Sequence, residues 1–513
     1  MKLTDVLAGC GAEQTSGGRS AVDVTGVTQD SRRVKTGDLF VAIPGTKEDG
    51  AQFIGEAVSR GAVAVVSEKP VPSSQVPFFK VSNARKALAL IAANFYGRPA
   101  EQLTLLGVTG TNGKTTTTYL LEAMSTAAYA STGVIGTLGY KFSGKTVESA
   151  NTTPDPLELH RIFREMVDAG VETVIMEVSS HALAQERVHG LTFKAAGFSN
   201  LSRDHLDYHK DMEDYFQAKR KLFAENLSAT GVAVVNGDDT YASRIYNELR
   251  GQKRMAWKFS RLGNGEISAS DVSFTLQGIK GTLKTPAGDI PIKSKLLGPH
   301  NLENILLAAG IGLGAGFARR DVQEGIERMT PVAGRMERVE NYGPGGAPAV
   351  LVDYAHTDDA LKRALEASRS LAKGRVITVF GCGGDRDKGK RPLMGAVAAE
   401  AADLAIVTSD NPRTEDPEEI ISQVTPGLEK GGLRRISAGK AKSGEKGYLV
   451  DPDRRAAIEQ AINLASADDV VLIAGKGHET YQQVGAEKHT FDDRQVAAKA
   501  LANRTPATPG TPA

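Results

Sequence analysis

The chain of 513 residues has only two cysteines, Cys10 and Cys382, placed far apart in the sequence. That scarcity excludes a disulfide framework and a cysteine-based zinc site, and it fits a reducing compartment. An excess of either charge is also missing: 62 Lys and Arg face 61 Asp and Glu, a net charge of +1. There is no broad field to gather nucleic acid. No apolar run approaches the ~20 residues that span a bilayer. The opening "MKLTDVLAGCGAEQTSGG" lacks the apolar core that precedes a signal cleavage site. These absences predict a cytoplasmic protein with no membrane insertion and no nucleic-acid partner. Internal repeats and heptads are absent too.

What is present is the composition of a globular protein, 41% hydrophobic and 24% charged, in a chain too long for one core. Three α/β domains are predicted. Residues 1–100 carry short β-type runs, "GDLFVAI" and "GAVAVVSE", and a helical stretch "RKALALIAANFYG" before the linker "RPAEQ". From Leu103 onward an apolar run, a polar or glycine turn and a helical pattern recur: "LTLLGVTG", "VETVIMEVSS", "AAGFSNLS", "GVAVVNGDD", then "RVITVFGCGG", "LAIVTSD" and "DVVLIAGKG". Runs apolar throughout predict parallel strands covered on both faces, with ligands beyond their carboxyl ends. Segment 253–297 alternates like antiparallel structure appended to the central domain. The glycine and proline-rich stretch in "RMERVENYGPGGAPAVLVDYAH" sets the next boundary near 337. The predicted domains are 1–100, 101–336 and 337–503, and the proline-rich tail 504–513 is expected to be disordered.

In "GVTGTNGKTTT", residues 107–117, a strand, a glycine turn and a helix start follow in order, the context of a phosphate loop. Only Thr111 and Asn112 separate Gly110 from Gly113, where the common pattern has four residues. Backbone N–H groups and the helix N-terminus would hold phosphate oxygens, Lys114 would reach the β and γ phosphates, and Thr115 would ligate Mg²⁺. Glu177 ends a strand where a metal-binding acid or an exposed turn residue would sit. Asp204, His205 and Asp207 form either a metal-ligand group or a solvated loop. Read from the residues alone, Lys219 and Lys221 are surface charges on a helix. Arg386, Lys388, Lys390 and Arg391 form a basic loop suited to a carboxylate or phosphate.

In this order the motifs resemble the Mur ligases, ATP-dependent amide-forming enzymes of peptidoglycan precursor synthesis that use the shortened loop. The resemblance runs from "DSRRVKTGDLFVAIPG" to "AGKGHE". "NTTPDP", "MEVSSHAL", "NLSRDHLDYH" and "DNPR" are similar to the branch that joins meso-2,6-diaminopimelate to UDP-N-acetylmuramoyl-L-alanyl-D-glutamate. The resemblance implies an N-terminal domain for the UDP end, a central P-loop ATPase-type parallel sheet and a C-terminal Rossmann-like domain for the amino acid, in a monomer. It places ATP on Gly110, Thr111, Asn112, Gly113, Lys114, Thr115 and Thr116, with Asn304 at the adenine and Arg335 and Asp353 from across the junction. Thr115, Glu177 and His205 would position Mg²⁺, joined by Lys219, which falls where the family carries a carbamylated lysine. Ser31 and the loop at Thr46 would meet the uridine end, with Gln29 standing where the family often has an apolar residue. Asn151, Thr152, Thr153, Ser179, Gln185 and Arg187 would hold the muramoyl dipeptide. Arg386, Asp410, Asn411, Pro412, Arg413, Gly475 and Glu479 would hold diaminopimelate. The alternatives are a lysine-adding relative, folylpolyglutamate synthase, which usually has glycine where this chain has Thr115, and a nucleotide-dependent scaffold with a degenerate site.

Overall fold

Strand Thr104–Thr109 is apolar along its length and buried on both faces, and the central sheet is built around it. In the computed structural model, residues 1–17, 22–45, 48–69, 75–340 and 346–504 are described. Thr46 and residues 505–513 of the tail lie outside them. The central sheet runs Ala256–Phe259, Leu227–Asn236, Phe193–Phe198, Thr104–Thr109, Thr173–Glu177, Thr132–Gly136, Gly139–Phe142 and Lys145–Val147. Its first six strands are parallel and the last two are antiparallel.

Helices cover both faces, which is why the strands read as unbroken apolar runs. Helices Lys114–Ala127 and Pro299–Ala315 bury Leu120, Leu121, Met124 and Ile305 on one side. Helices Pro156–Asp168 and Met212–Ala224 bury Phe163, Tyr215 and Phe223 on the other. The appended antiparallel sheet is present as Ser268–Thr275, Gly278–Lys284 and Ile290–Ser294. In its last strand alternate residues are buried, and Ile290 and Ile292 join the first of those two cores.

A second sheet follows the order Glu337–Arg338, Ala349–Asp353, Val470–Ala474, Val376–Phe380, Leu404–Val407 and Gly447–Val450, parallel apart from its first strand. The N-terminal sheet runs Glu13–Ser16, Phe78–Lys80, Ala64–Ser67, Asp38–Ala42 and Gly26–Thr28, with only the first pair antiparallel. Among the described residues no helix is long and apolar enough to cross a membrane.

The basic loop 383–391 is anchored by helix Lys390–Ala401, which packs against Pro417–Lys430 through two glycines. A Cβ at Gly427 would lie 1.9 Å from Pro392 O, and one at Gly395 2.3 Å from Val424 O. Backbone cannot yield there as a side chain could. Gly427→Leu should therefore destabilise the C-terminal region by about 1–3 kcal/mol, the usual range for overpacking. Urea unfolding followed by circular dichroism measures this, and an unchanged midpoint would contradict so close a helix crossing.

A candidate nucleotide-dependent active site

Gly110 and Gly113 have φ of 139° and 87°, backbone that favours glycine, and the helix begins immediately after them at Lys114. Space is as demanding as conformation. A Cβ at Gly110 would lie 1.9 Å from Ser199 Oγ, and one at Gly113 2.2 Å from Asn304 Oδ1. The neighbouring strand end holds the loop open: Asn200 O accepts from Thr111 N–H (2.8 Å), Asn200 Oδ1 accepts from Asn112 N–H (3.0 Å), and Ser199 Oγ–H donates to Asn112 O.

Two lysines converge on the carbonyl of Gly110. Lys114 Nζ donates to Gly110 O (3.0 Å) and Thr111 O (2.9 Å), and Lys219 Nζ donates to Gly110 O (2.7 Å). Lys219 is 1% exposed, so the reading of it as a surface charge is corrected. Helix Met212–Ala224 turns this position inward beside Tyr215 and Phe216. Desolvation drives its ammonium well below the ordinary lysine range, Lys114 adds repulsion, and Asp204 opposes both. The Lys114 ammonium is also lowered, mainly by desolvation, with Glu177 and Asp204 pulling the other way. Lys221 is not freely solvated either, since it is paired with Glu186 at 2.6 Å.

Thr111 to Thr116 line one cleft with Glu177, His205, Asn304, Arg335 and Asp353, a volume of about 250 Å³. Glu177 is 1% exposed, and Thr137 holds both its oxygens: N–H to Oε1 and Oγ–H to Oε2, each at 3.0 Å. His205 adopts φ 54° beside Asp204 (3.4 Å). Desolvation pushes its imidazole down to about 4 against the attraction of Asp204. Asn304 donates to Asn301 Oδ1 at 2.9 Å. From the second sheet, Asp353 accepts N–H groups of Met336 (2.7 Å) and Ala355 (2.8 Å), its carboxyl raised by burial. Arg335 Nη2 lies 3.4 Å from Thr115 Oγ1, and Asn112 Nδ2 donates to Asp359 (2.8 Å).

A second network adjoins the cleft. Thr153 Oγ–H donates to the main-chain oxygen of Glu177 (2.9 Å) and accepts from Ser179 N–H (3.1 Å). Arg187 donates to Thr153 O (2.7 Å) and to Gln185 Oε1. Thr152 Oγ lies 3.3 Å from Thr137 Oγ, and Asn151 is exposed. On the N-terminal sheet's side, buried Ser31 donates to Glu56 (2.9 Å), and Gln29 is exposed.

The strand ends of the second sheet bring Asp410, Asn411, Gly475 and Glu479 together. Asn411 Nδ2 donates to Glu479 Oε2 (2.8 Å), and a Cβ at Gly475 would lie 2.5 Å from Asp410 Oδ2. Pro412 is buried, and Arg413 donates to Gly384 O (2.7 Å) at the rim of the loop that carries Arg386. The basic loop itself is a correction. Arg391 is fully buried and bidentate to Glu415, Lys388 pairs with the same carboxylate, and Lys390 donates to His356 O. Of the four, Arg386 alone is left exposed with no acidic partner among the described residues. Sequence reasoning missed Thr137, Ser199, Asn200, Asp359 and Lys476. Ser199 and Asn200 stood in the quoted "AAGFSNLS" and Lys476 in "AGKGHE", so strand-end position was the available signal.

A cleft with a phosphate loop on one wall and groups of another sheet on the other is the arrangement of a nucleotide-dependent enzyme. Family profiles match residues 23–96 (Mur ligase family, catalytic domain), 108–312 (Mur ligase middle domain) and 334–477 (Mur ligase, glutamate ligase domain). The chain is 46% identical over 512 residues, 98% of each chain, to a UDP-N-acetylmuramoyl-L-alanyl-D-glutamate--2,6-diaminopimelate ligase of Geobacter metallireducens. A solved structure of a ligase of that name superposes with a TM-score of 0.70 at 31% identity, covering 98% of both chains. The Mycobacterium tuberculosis folylpolyglutamate synthase complexed with ADP shares the fold at 18% identity, with a TM-score of 0.61 over 82% of this chain and 95% of that one. The chain belongs to the Mur ligase family, the ATP-dependent amide-forming ligases.

The tight seat of Gly113 gives a direct check. Gly113→Ala adds a left-handed strain of about 1–2 kcal/mol and a clash with Asn304, and should weaken nucleotide binding roughly tenfold or more. The rise in melting temperature on adding ADP reads this out, and an undiminished rise in the variant contradicts the loop geometry.

Proposed function

We propose that the chain joins meso-2,6-diaminopimelate to the D-glutamyl γ-carboxylate of UDP-N-acetylmuramoyl-L-alanyl-D-glutamate, with release of ADP and phosphate. The observation that carries the reading is the double role of Glu177. Its carboxylate faces the phosphate-loop cleft, and its main-chain oxygen anchors Thr153 of the adjoining network. An acid held by Thr153, Ser179, Gln185 and Arg187 therefore lies beside a triphosphate held by the loop. In this reading residues 1–100 take the UDP end, through Ser31, Gln29 and Thr46, and 101–336 take ATP. Residues 337–503 bring the amino acid, with Arg386 and Asp410 to Arg413 at its distal carboxylate and Gly475 and Glu479 at its distal amine.

A carboxylate resists amine attack because it is an anion without a leaving group. The acid oxygen attacks the γ-phosphorus of ATP and ADP departs. The amine nitrogen then attacks the carbonyl carbon of the acyl phosphate, phosphate leaves and the nitrogen loses a proton. The first step brings anions together, so Lys114 and the N–H groups of residues 113 to 116 carry the electrostatic load. Closure of the second sheet, through Arg335 and Asp353, keeps water from the acyl phosphate.

The site's donors suit Mg²⁺: a hydroxyl, a buried carboxylate and an imidazole beside a phosphate cradle whose glycines admit no Cβ. Thr115, Glu177 and His205 would hold the ion, which supplies charge neutralisation at the phosphates. Lys219 would join them as a carbamate. Its desolvated amine is driven toward the neutral, nucleophilic form that takes up CO₂, forming a C–N bond and losing a proton.

Lys114→Ala should lower turnover by about 10²-fold or more, the usual loss when transition-state charge stabilisation is removed. Unchanged ADP release in that variant rejects the phosphate-loop role. With the wild type, ADP release should respond to diaminopimelate and not to L-lysine or L-glutamate. A mass spectrum of the product identifies the amide, and a response to either of the others moves the chain to a different branch of the family. Lys219→Ala should be inactive and regain activity with a small carboxylate, while full activity without one refutes the carbamate.

A further inference from the structure

The roles assigned above leave unused a fully buried lysine, Lys476, whose partners are the candidate amino-acid ligands. Lys476 follows strand Val470–Ala474, and its side chain is 0% exposed. Its ammonium lies 3.0 Å from Asn411 Oδ1, 3.1 Å from Glu479 Oε2 and 3.9 Å from Asp410 Oδ1. An ammonium taken out of water needs acceptors to replace it. All three of its acceptors belong to the pocket read above as the seat of the amino acid.

The hydrogen bonds give that pocket a polarity. Asn411 Oδ1 accepts from Lys476 and from the main-chain N–H of Gln483 (2.9 Å), while Asn411 Nδ2 donates to Glu479 Oε2 (2.8 Å). A flipped amide would set its NH₂ against an ammonium and a second N–H, so one orientation is imposed. Gln482 braces the same loop by donating to Asp410 O (2.8 Å). Among the described residues, one hydrogen on Asn411 Nδ2 and the Oε1 oxygen of Glu479 remain without a protein partner. That leaves one donor and one anionic acceptor, side by side.

We propose that Lys476 is a positioning residue for selection of the incoming amino acid. By imposing the Asn411 orientation and occupying one oxygen of Glu479, it presents a donor and an acceptor matched to a carboxylate and an ammonium on one carbon. A diamino diacid carries that pair at the end remote from the reacting amine. A diamino monoacid such as lysine satisfies the acceptor and leaves the donor unmatched, which is how a site rejects an analogue that lacks a polar group. The inference rests on the ligase reading.

The test is steady-state ADP release by the full chain with UDP-N-acetylmuramoyl-L-alanyl-D-glutamate, ATP and meso-2,6-diaminopimelate. Lys476→Met should raise KM for diaminopimelate about tenfold or more, as expected on losing a hydrogen bond to a charged group. KM for ATP and for the nucleotide-linked acid should stay at the wild-type value. Because Lys476 and Glu479 act as one unit, adding Lys476→Met to Glu479→Gln should raise KM for diaminopimelate little further. Lys476→Gln, shorter and still a donor, answers the question if the methionine variant does not fold. An unchanged KM for diaminopimelate, an equal rise for all three substrates, or fully multiplicative effects in the double variant overturns the proposal. A wild type that ignores diaminopimelate overturns the ligase reading itself, which separates the two failures.

Discussion

One carbonyl oxygen, that of Gly110, accepts from the side-chain nitrogens of two lysines, and the central site is arranged around that fact. Sharing that neutral acceptor leaves much of the Lys114 charge uncompensated, because the nearby anions Glu177 and Asp204 only partly offset the loss of water, while burial beside Lys114 drives Lys219 toward its neutral amine. A phosphate loop with this electrostatic deficit favours an arriving anion. The glycines at 110 and 113 let the loop pack directly on Ser199 and Asn304, which a Cβ at either would strike. Conformation and charge thus point to the same ligand.

The central and C-terminal sheets were largely legible, because parallel strands buried on both faces need unbroken apolar runs. Thr173–Glu177 and Val376–Phe380 stood out on that basis. Thr132–Gly136 and Gly447–Val450 did not: both carry glycine, which interrupts the apolar run. The same physics limited the site reading. Strand ends were the right places to look, so Glu177, His205 and the loop 410–413 were visible as candidates. Thr137 was not visible, since only the approach of one strand end to another brings its N–H and hydroxyl to Glu177.

The basic loop shows how charge counting misleads. Arg386, Lys388, Lys390 and Arg391 look like an anion site when read along the chain. In space Glu415, 24 residues beyond Arg391, binds that arginine bidentately and attracts Lys388. Side-chain desolvation makes such a pairing part of the framework. A local cluster of like charges is therefore evidence of a ligand only after the partners supplied by tertiary structure have been subtracted. Lys476 is the converse case, a single lysine between two glycines whose burial among Asn411, Asp410 and Glu479 gives it more to explain than the loop.

The contacts that join the C-terminal sheet to the nucleotide loop are polar and few-atom in nature. Arg335 meets Thr115, Asp359 meets Asn112, Arg363 bridges Asp359 and Glu303, and Arg203 lies 3.5 Å from Asp387. Two of these four involve residues of the phosphate loop itself. Polar contacts of this kind exchange with water at small net cost; the apolar contact between the two bodies lies elsewhere, where Leu276 and Leu297 pack into the core of the second sheet. A nucleotide that engages Asn112 or Thr115 necessarily alters what Asp359 and Arg335 experience. Linkage makes the effect reciprocal: closure of the C-terminal body must change nucleotide affinity by the same factor that nucleotide changes closure. In the proposed reading the loop that takes the phosphates is also the surface on which the C-terminal body docks, which would tie the acid-activating step to the approach of the amine.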